Sequence, residues 1–204
     1  MIRNTLASLL CVSIAATAAT TPLPPGRPAP NFEVHLTQPN GVVTPAQYKG
    51  KVVLLALILT TCPHCQNSTV MLSRLQKEYE SRGLQIMAAA FNEMSNMLVP
   101  DFIKAYKPTF PVGYSDRDSV LKFLGRSPND EMYVPIMVFI DRKGLIRWQH
   151  LGDDEFFQHQ EQNVRAHIEA LLGPAPGAGA KKGPAVSKTE SPKVVVTIDP
   201  PAKK

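Results

Sequence analysis

A chain of 204 residues, 44% of them hydrophobic, is long enough for one well-packed core and short for two domains. Its formal charge of +5 would suggest a nucleic-acid partner if the charge were spread over the domain. The excess instead lies at the ends, with Arg3 near the start and six Lys against two acidic residues from Gly173 onward. Residues 19–172 are neutral overall, which argues against a nucleic-acid-binding protein.

The first residues have the pattern of a secretory signal. Arg3 precedes the apolar run LASLLCVSIAATA, which ends in the small residues Ala16-Thr17-Ala18. We expect a signal peptide at 1–18, a linker at 19–30, and export across the inner membrane to the periplasm. The run is shorter than the roughly 20 apolar residues of a spanning helix, so no stable membrane insertion is expected after cleavage. A buried N-terminal helix is the alternative.

The elements that follow predict an α/β domain at 31–172. A strand at 32–36, a turn at 38–41 and a strand at 42–44 indicate an N-terminal β-hairpin. The continuous apolar run VVLLALIL (52–59) is typical of a central strand buried on both faces. The later elements are predicted as a helix at 63–82, a strand at 84–91, a helix at 100–106, a strand at 110–114, a helix at 119–124, paired strands at 136–141 and 145–151, and a helix at 156–172.

This order describes a central mixed sheet flanked by helices, with an antiparallel edge. The last helix should bury one face, formed by Phe156, Phe157, Val164, Ile168 and Leu171. The remainder, 173–204, is rich in Pro, Ala and Lys and has little bulky apolar content, so it is predicted to be a disordered tail.

Cys62 and Cys65 are the candidate redox-active residues of this sequence. Cys62 follows the central strand and opens a helix, at the strand end where open α/β sheets bind their ligands. Pro63 suits the first helical position, and the helix N-terminus together with His64 favours a thiolate at Cys62. Cys65, one turn further on, is placed to attack a mixed disulfide on Cys62 and release the partner.

Other uses of the pair are weaker. A bridge between Cys62 and Cys65 closes almost no loop and would restrain the unfolded chain little. Structural zinc normally takes four ligands, and the other histidines have no ligand spacing and are explained by solvated surface positions. These are His35, His150, His159 and His167. A copper(I) site made of the two thiolates remains as an alternative.

Pro135 enters a strand that otherwise looks central, where proline is normally excluded. An ordinary trans proline at a strand start is one explanation. The alternative is a cis proline whose loop lies beside the cysteine pair and offers backbone groups to an incoming chain.

The motifs PAPNF, YKGKVVLL, C-x-x-C and VPIMVFIDRKGLI, with the final helix, resemble the periplasmic thioredoxin-like proteins of the TlpA/ResA and redoxin group. The resemblance covers about residues 25–172. It implies a thioredoxin fold, with Cys62 as nucleophile, Cys65 as resolving thiol and Pro135 as the cis proline. The dipeptide Pro63-His64, with Val134 before Pro135, is instead similar to the oxidase DsbA.

The sequence departs from this group at three places. Thr61 stands where an aromatic residue often precedes the first cysteine, and Ala56 replaces the usual buried acid. Leu55 and Leu59 occupy the Pro and Thr positions of the peroxidase pattern, which makes peroxidase activity the weaker alternative. We therefore expect a thiol-disulfide oxidoreductase without a bound cofactor. Its partners would be protein thiols or disulfides, contacted by Thr61 and Val134, and an upstream redox partner.

Overall fold

The computed structural model describes residues 23–37 and 40–174. The predicted signal peptide and the tail beyond residue 174 lie outside these residues. The strands are β1 (Arg27–Pro28), β2 (Val34–Thr37), β3 (Asn40–Val43), β4 (Val52–Ile58), β5 (Leu84–Ala90), β6 (Val112–Tyr114), β7 (Ile136–Ile140) and β8 (Leu145–His150). The α-helices are α1 (Pro63–Tyr79), α2 (Ser95–Tyr106), α3 (Arg117–Leu124) and α4 (Gln160–Leu172). Short 3-10 helices lie at Pro45–Tyr48, Glu80–Arg82 and Glu155–His159.

The strands form one mixed sheet in the order β1-β8-β7-β4-β5-β6-β2-β3. β4, β5 and β6 are parallel, whereas β7, β8 and the β2–β3 hairpin pair antiparallel to their neighbours. The predicted N-terminal hairpin and the antiparallel edge are confirmed. β4 lies at the centre, and every one of its residues is buried, as its continuous apolar run predicts.

Alternating residues of the central strands serve two separate cores, because successive side chains of a strand point to opposite faces. Leu54, Ala56 and Ile58 face one core, where they pack with residues of α1, α2 and α4. Leu55 and Leu57 face the other core, which α3 and the N-terminal segment cover. Cys65 belongs to the first of these cores, and the partly buried Cys62 packs against it.

The segment predicted as a linker is partly structured. Arg27 and Pro28 pair with β8, and Arg27 Nη2 donates hydrogen bonds to Phe123 O (3.1 Å) and Gln149 Oε1 (2.9 Å). Pro28 is tolerated because β1 is an edge strand, where no partner needs the missing N–H. Residues 27 and 28 of the predicted linker therefore belong to the edge of the sheet.

The second helix begins earlier than predicted. It starts at Ser95, so Pro100 lies inside the helix and not at its first position. A proline there removes one backbone hydrogen bond. The helix continues through Pro100 to Tyr106, and Val99 and Phe102 are buried in the core.

Candidate active site

Cys62 is positioned by the connection between β4 and α1. It has extended backbone angles (φ −83°, ψ 119°) and is the N-cap residue of α1, with Pro63 at the first helical position. Its N–H donates to Leu59 O at 3.2 Å, and its carbonyl accepts from the N–H of Gln66 at 3.0 Å. The sulfur therefore lies at the carboxyl end of the central strand and at the positive end of a 17-residue helix, as the sequence predicts.

The two cysteines differ in exposure. Both are free thiols; Cys62 is half-buried, whereas Cys65 is completely buried in the first turn of α1. Burial raises the pKa of the Cys65 thiol, and its hydrogen bond to the Cys62 side chain raises that pKa further. Only Cys62 is accessible from outside, and the sulfur within its reach is that of Cys65. This asymmetry is what a nucleophile and a resolving thiol require.

A brace between two strand ends supports the cysteine loop, and sequence reasoning missed it. Asn92, just after β5, accepts hydrogen bonds through Oδ1 from Thr60 N (2.9 Å) and Thr60 Oγ1 (3.3 Å). Gln66 of α1 donates from Nε2 to Thr60 O at 3.0 Å. These contacts fix the turn that precedes Cys62. The polar residue directly after an apolar strand was the available sequence signal.

A cleft of about 330 Å³ opens beside the start of α1. It brings His64 together with Val134 and Pro135, and the Val134–Pro135 peptide bond is cis. The remaining lining comes from the segment after β8 and the start of α4: Gly152, Asp153, Asp154, Phe157, Gln158 and Gln160. Thr61 is exposed next to Cys62 but does not line this cleft. The bond at Pro135 is therefore the cis alternative and not the ordinary trans one, and Cys62 itself is not among the residues that line this cleft.

No acid occupies the position six residues before Cys62. Ala56 is buried there, and in the sheet it lies opposite Ala88 on one side and Met137 on the other. Its side chain faces the same core as Cys65. A proton acceptor for the resolving thiol must therefore be something other than a residue-56 carboxylate.

The interpretation of His150 and His167 as solvated surface residues is wrong. Their Nε2 atoms lie 3.0 Å apart, within hydrogen-bond distance, and His150 Nδ1 lies 2.8 Å from Asp154 Oδ2. His150 stacks on Phe156, and His167 stacks on Trp148. Burial, and secondarily the charge of His150, lowers the pKa of His167 to about 4.

In the described parts of the chain, no group of three or more His, Cys, Asp or Glu side chains is arranged to hold a metal ion. Among the same residues, no helix is long and apolar enough to cross a membrane.

Relatives of known class share this architecture. The thiol-disulfide oxidoreductase ResA of Bacillus thuringiensis subsp. konkukian is 28% identical over 136 residues, which covers 67% of this chain and 75% of the relative. ResA of Geobacillus thermodenitrificans is 25% identical over 124 residues, covering 61% and 65%. A thioredoxin-family thiol:disulfide interchange protein of Chlorobium tepidum matches in structure with a TM-score of 0.61 at 22% identity, covering 73% of this chain and 98% of the other. An interchange protein from a Bacteroides species matches with a TM-score of 0.53 at 20% identity, covering 70% and 91%.

The fold, the C-x-x-C pair at a helix N-terminus and these similarities define a thiol-disulfide oxidoreductase of the thioredoxin fold. The Redoxin family profile matches residues 24–167, well over half of the chain. The protein belongs to the Redoxin family. The family resemblance and the fold class expected from sequence are both confirmed.

Proposed function

We propose that the protein exchanges disulfides with cysteines of other proteins through the pair Cys62 and Cys65, in an extracytoplasmic compartment. The observation that carries the proposal is the unequal exposure of the two thiols, with Cys62 half-buried at the helix N-terminus and Cys65 buried behind it. The relatives named as thiol-disulfide oxidoreductases support the same chemistry. The signal-like sequence before Ala18 supports the location.

The exchange proceeds through two successive thiol-disulfide exchange steps. The thiolate of Cys62 attacks one sulfur of a substrate disulfide, forming a mixed disulfide and releasing the first substrate thiolate. Cys65 then loses its proton and attacks the Cys62 sulfur, which releases the second substrate thiolate and leaves a Cys62–Cys65 disulfide. Two electrons pass from the protein to the substrate, and the same path run backwards oxidises a substrate dithiol. The disulfide pair is the redox group, so the exchange needs no bound cofactor.

The surrounding residues take supporting roles in this proposal. Pro63 begins α1 without leaving an unpaired N–H, and the side chain of His64, two residues after Cys62, lines the cleft. Val134 and Pro135 line the same cleft and would contact the substrate chain, and the exposed Thr61 would contact it from the side of the cysteine loop. An upstream redox partner would restore the starting state of the pair.

Trapping tests the assignment of the two cysteines. Cys65→Ser leaves Cys62 able to attack but removes the thiol that resolves the mixed disulfide, so covalent complexes with protein substrates should accumulate. Cys62→Ser removes the exposed thiol and should trap none. The complexes are counted on non-reducing gels after incubation with a disulfide-bonded protein such as insulin. Equal trapping by the two variants would show that the nucleophile is assigned wrongly.

Copper(I) carriage remains the alternative of a different class. It requires both thiols as thiolates, and the raised pKa of Cys65 opposes this. An anaerobic copper(I) titration of the reduced protein, set beside insulin reduction, separates the two functions. Peroxide consumption tests the weaker peroxidase alternative in the same preparation.

A further inference from the structure

The turn after β8, at 151–154, is pressed against the segment that leads into Pro135. Gly152 donates its N–H to Tyr133 O at 2.9 Å. A Cβ added to Gly152 would lie only 2.6–2.7 Å from the backbone N, C and O atoms of Val134. Because the two backbones are in such close contact, a shift of the turn must either move Val134 or break the contact.

Three side chains connect this turn to the end of β8 and to α4. Asp154, which lines the cleft, places Oδ2 at 2.8 Å from His150 Nδ1, while its Oδ1 accepts the N–H of Phe156 at 3.0 Å. His150 Nε2 in turn lies 3.0 Å from His167 Nε2 on α4. The contacts therefore connect the cleft with α4 without interruption. We call these three residues, Asp154, His150 and His167, the histidine latch.

Aromatic rings fix both imidazoles in place. The centroids of His150 and Phe156 are 3.9 Å apart with planes 10° from parallel, and those of His167 and Trp148 are 4.1 Å apart at 18°. Phe139 packs edge-on against both histidines. The rings therefore cannot turn away freely when their protonation changes.

The number of protons decides whether the latch is intact. The Asp154 carboxylate only accepts, so His150 Nδ1 carries a proton and donates it. The facing Nε2 atoms of His150 and His167 can share one further proton, one as donor and the other as acceptor. If both rings are fully protonated, two N–H groups point at each other and two positive charges meet across 3.0 Å. His150 and Asp154 are the charged groups that act on this contact, and the packed neighbours from β7, β8 and the 3-10 helix are Phe139, Trp148 and Phe156.

We propose that Asp154, His150 and His167 are positioning residues for disulfide exchange. They hold the 151–154 turn, and through Gly152 the Val134–Pro135 segment, in the geometry that receives a protein substrate, and acid releases this hold. The effect on disulfide exchange rests on the proposed function, whereas the latch itself rests only on the contacts described above. Small disulfides need only the Cys62 sulfur, so they should be insensitive to the latch.

Matched variants separate positioning from chemistry. Asp154→Asn keeps an oxygen that caps the following helix but removes the charge facing His150. Loss of this charge-assisted contact should loosen the turn, so we expect KM for insulin to rise about tenfold in this variant. The rate with 5,5′-dithiobis(2-nitrobenzoic acid), a small disulfide, should change less than twofold. His159→Phe, an exposed neighbour on the 3-10 helix, is the control.

Acidification provides the second measurement. In the wild type, kcat/KM for insulin relative to that for the small disulfide should fall as the pH is lowered from about 6 to about 3.5, where His167 takes up its proton, and this relative fall should be much smaller in His167→Phe. That variant keeps an aromatic ring against Trp148 but cannot be protonated. The proposal is wrong if the two proteins show the same relative fall, or if Asp154→Asn affects insulin and the small disulfide alike. Melting temperatures confirm that each variant is folded.

A separate outcome would concern the proposed function. If wild-type protein neither reduces nor traps any protein disulfide, that function fails, and hydrogen exchange then tests the latch. Exchange of the Gly152 N–H, corrected for the intrinsic effect of pH, should accelerate on acidification in the wild type and not in His167→Phe. Identical protection in both proteins at acid pH overturns the latch itself.

Discussion

The lowered pKa of His167 predicts a specific loss of stability in mild acid. His167 takes up a proton near pH 4 in the folded protein, compared with 6.5 for an ordinary histidine. Between these values the unfolded chain binds more protons, so acidification favours unfolding. The contribution of His167 is fully present above about pH 7, declines as the pH falls from 6.5 towards 4, and is completely lost below both values.

The size of this effect follows from the difference between the two pKa values. At 1.36 kcal/mol per pKa unit, the step from 6.5 to about 4 corresponds to about 3 kcal/mol. Solvent screening reduces this value because the ring is only partly buried, so we expect about 2 kcal/mol. Asp154 does not contribute in this range, since the Phe156 N–H and then His150 lower its pKa below that of an ordinary carboxyl group.

Urea unfolding at several pH values measures the effect. His167→Phe preserves a ring stacked on Trp148 but removes the titrating group, so its stability should decline less than that of the wild type between about pH 7 and about pH 4.5. His159→Phe, which replaces an exposed histidine, should follow the wild-type curve. Parallel curves for wild type and His167→Phe would refute the reasoning, because the proton uptake would then lie elsewhere.

Two further predictions concern stability at neutral pH. Asp116 caps α3, accepting from Ser119 N (2.7 Å) and Ser119 Oγ (2.6 Å), so Asp116→Ala should cost about 1 kcal/mol in urea unfolding, whereas Asp116→Asn should cost much less. A neutral result for the alanine variant would show that the cap is replaced by water. Arg147 Nε lies 2.7 Å from the carboxylate of the buried Asp141, so Arg147→Met should cost about 3 kcal/mol by leaving that charge unpaired. Arg74→Met, which removes an exposed pair, should cost less than about 1 kcal/mol, and equal losses would contradict the difference in burial.

Much of the fold could be predicted because local pattern and burial agree along the chain. The uninterrupted apolar run of β4 is typical of a central strand, and the cysteine followed by proline beyond its end favours the start of a helix. The position of the cysteine pair followed from these two facts. The brace from Asn92 was missed, since it depends on β5 lying beside β4 in a particular register.

The histidine contact could not be predicted for a definite reason. Regular alternation along β8 would put Ile146, Trp148 and His150 on one face. The register shifts between Phe139 and Ile140 of β7, so Ile146 faces the second core whereas Trp148 packs against the first. A β-bulge of this kind reverses which side chains meet α4, and no local sequence pattern gives its position.

In the proposed exchange, the burial of Cys65 allows the two cysteines to act in sequence without an acid at position 56. Ala56 adds no polar group to the core that contains Cys65. The burial of Cys65 raises the pKa of its thiol, which therefore stays protonated before the exchange. A protonated Cys65 is a poor nucleophile, so we expect the half-buried Cys62 to make the first attack. Once a substrate is attached, Cys65 lies one helical turn away, and intramolecular attack compensates for its unfavourable deprotonation. In the proposed exchange, the order of the two steps therefore follows from burial.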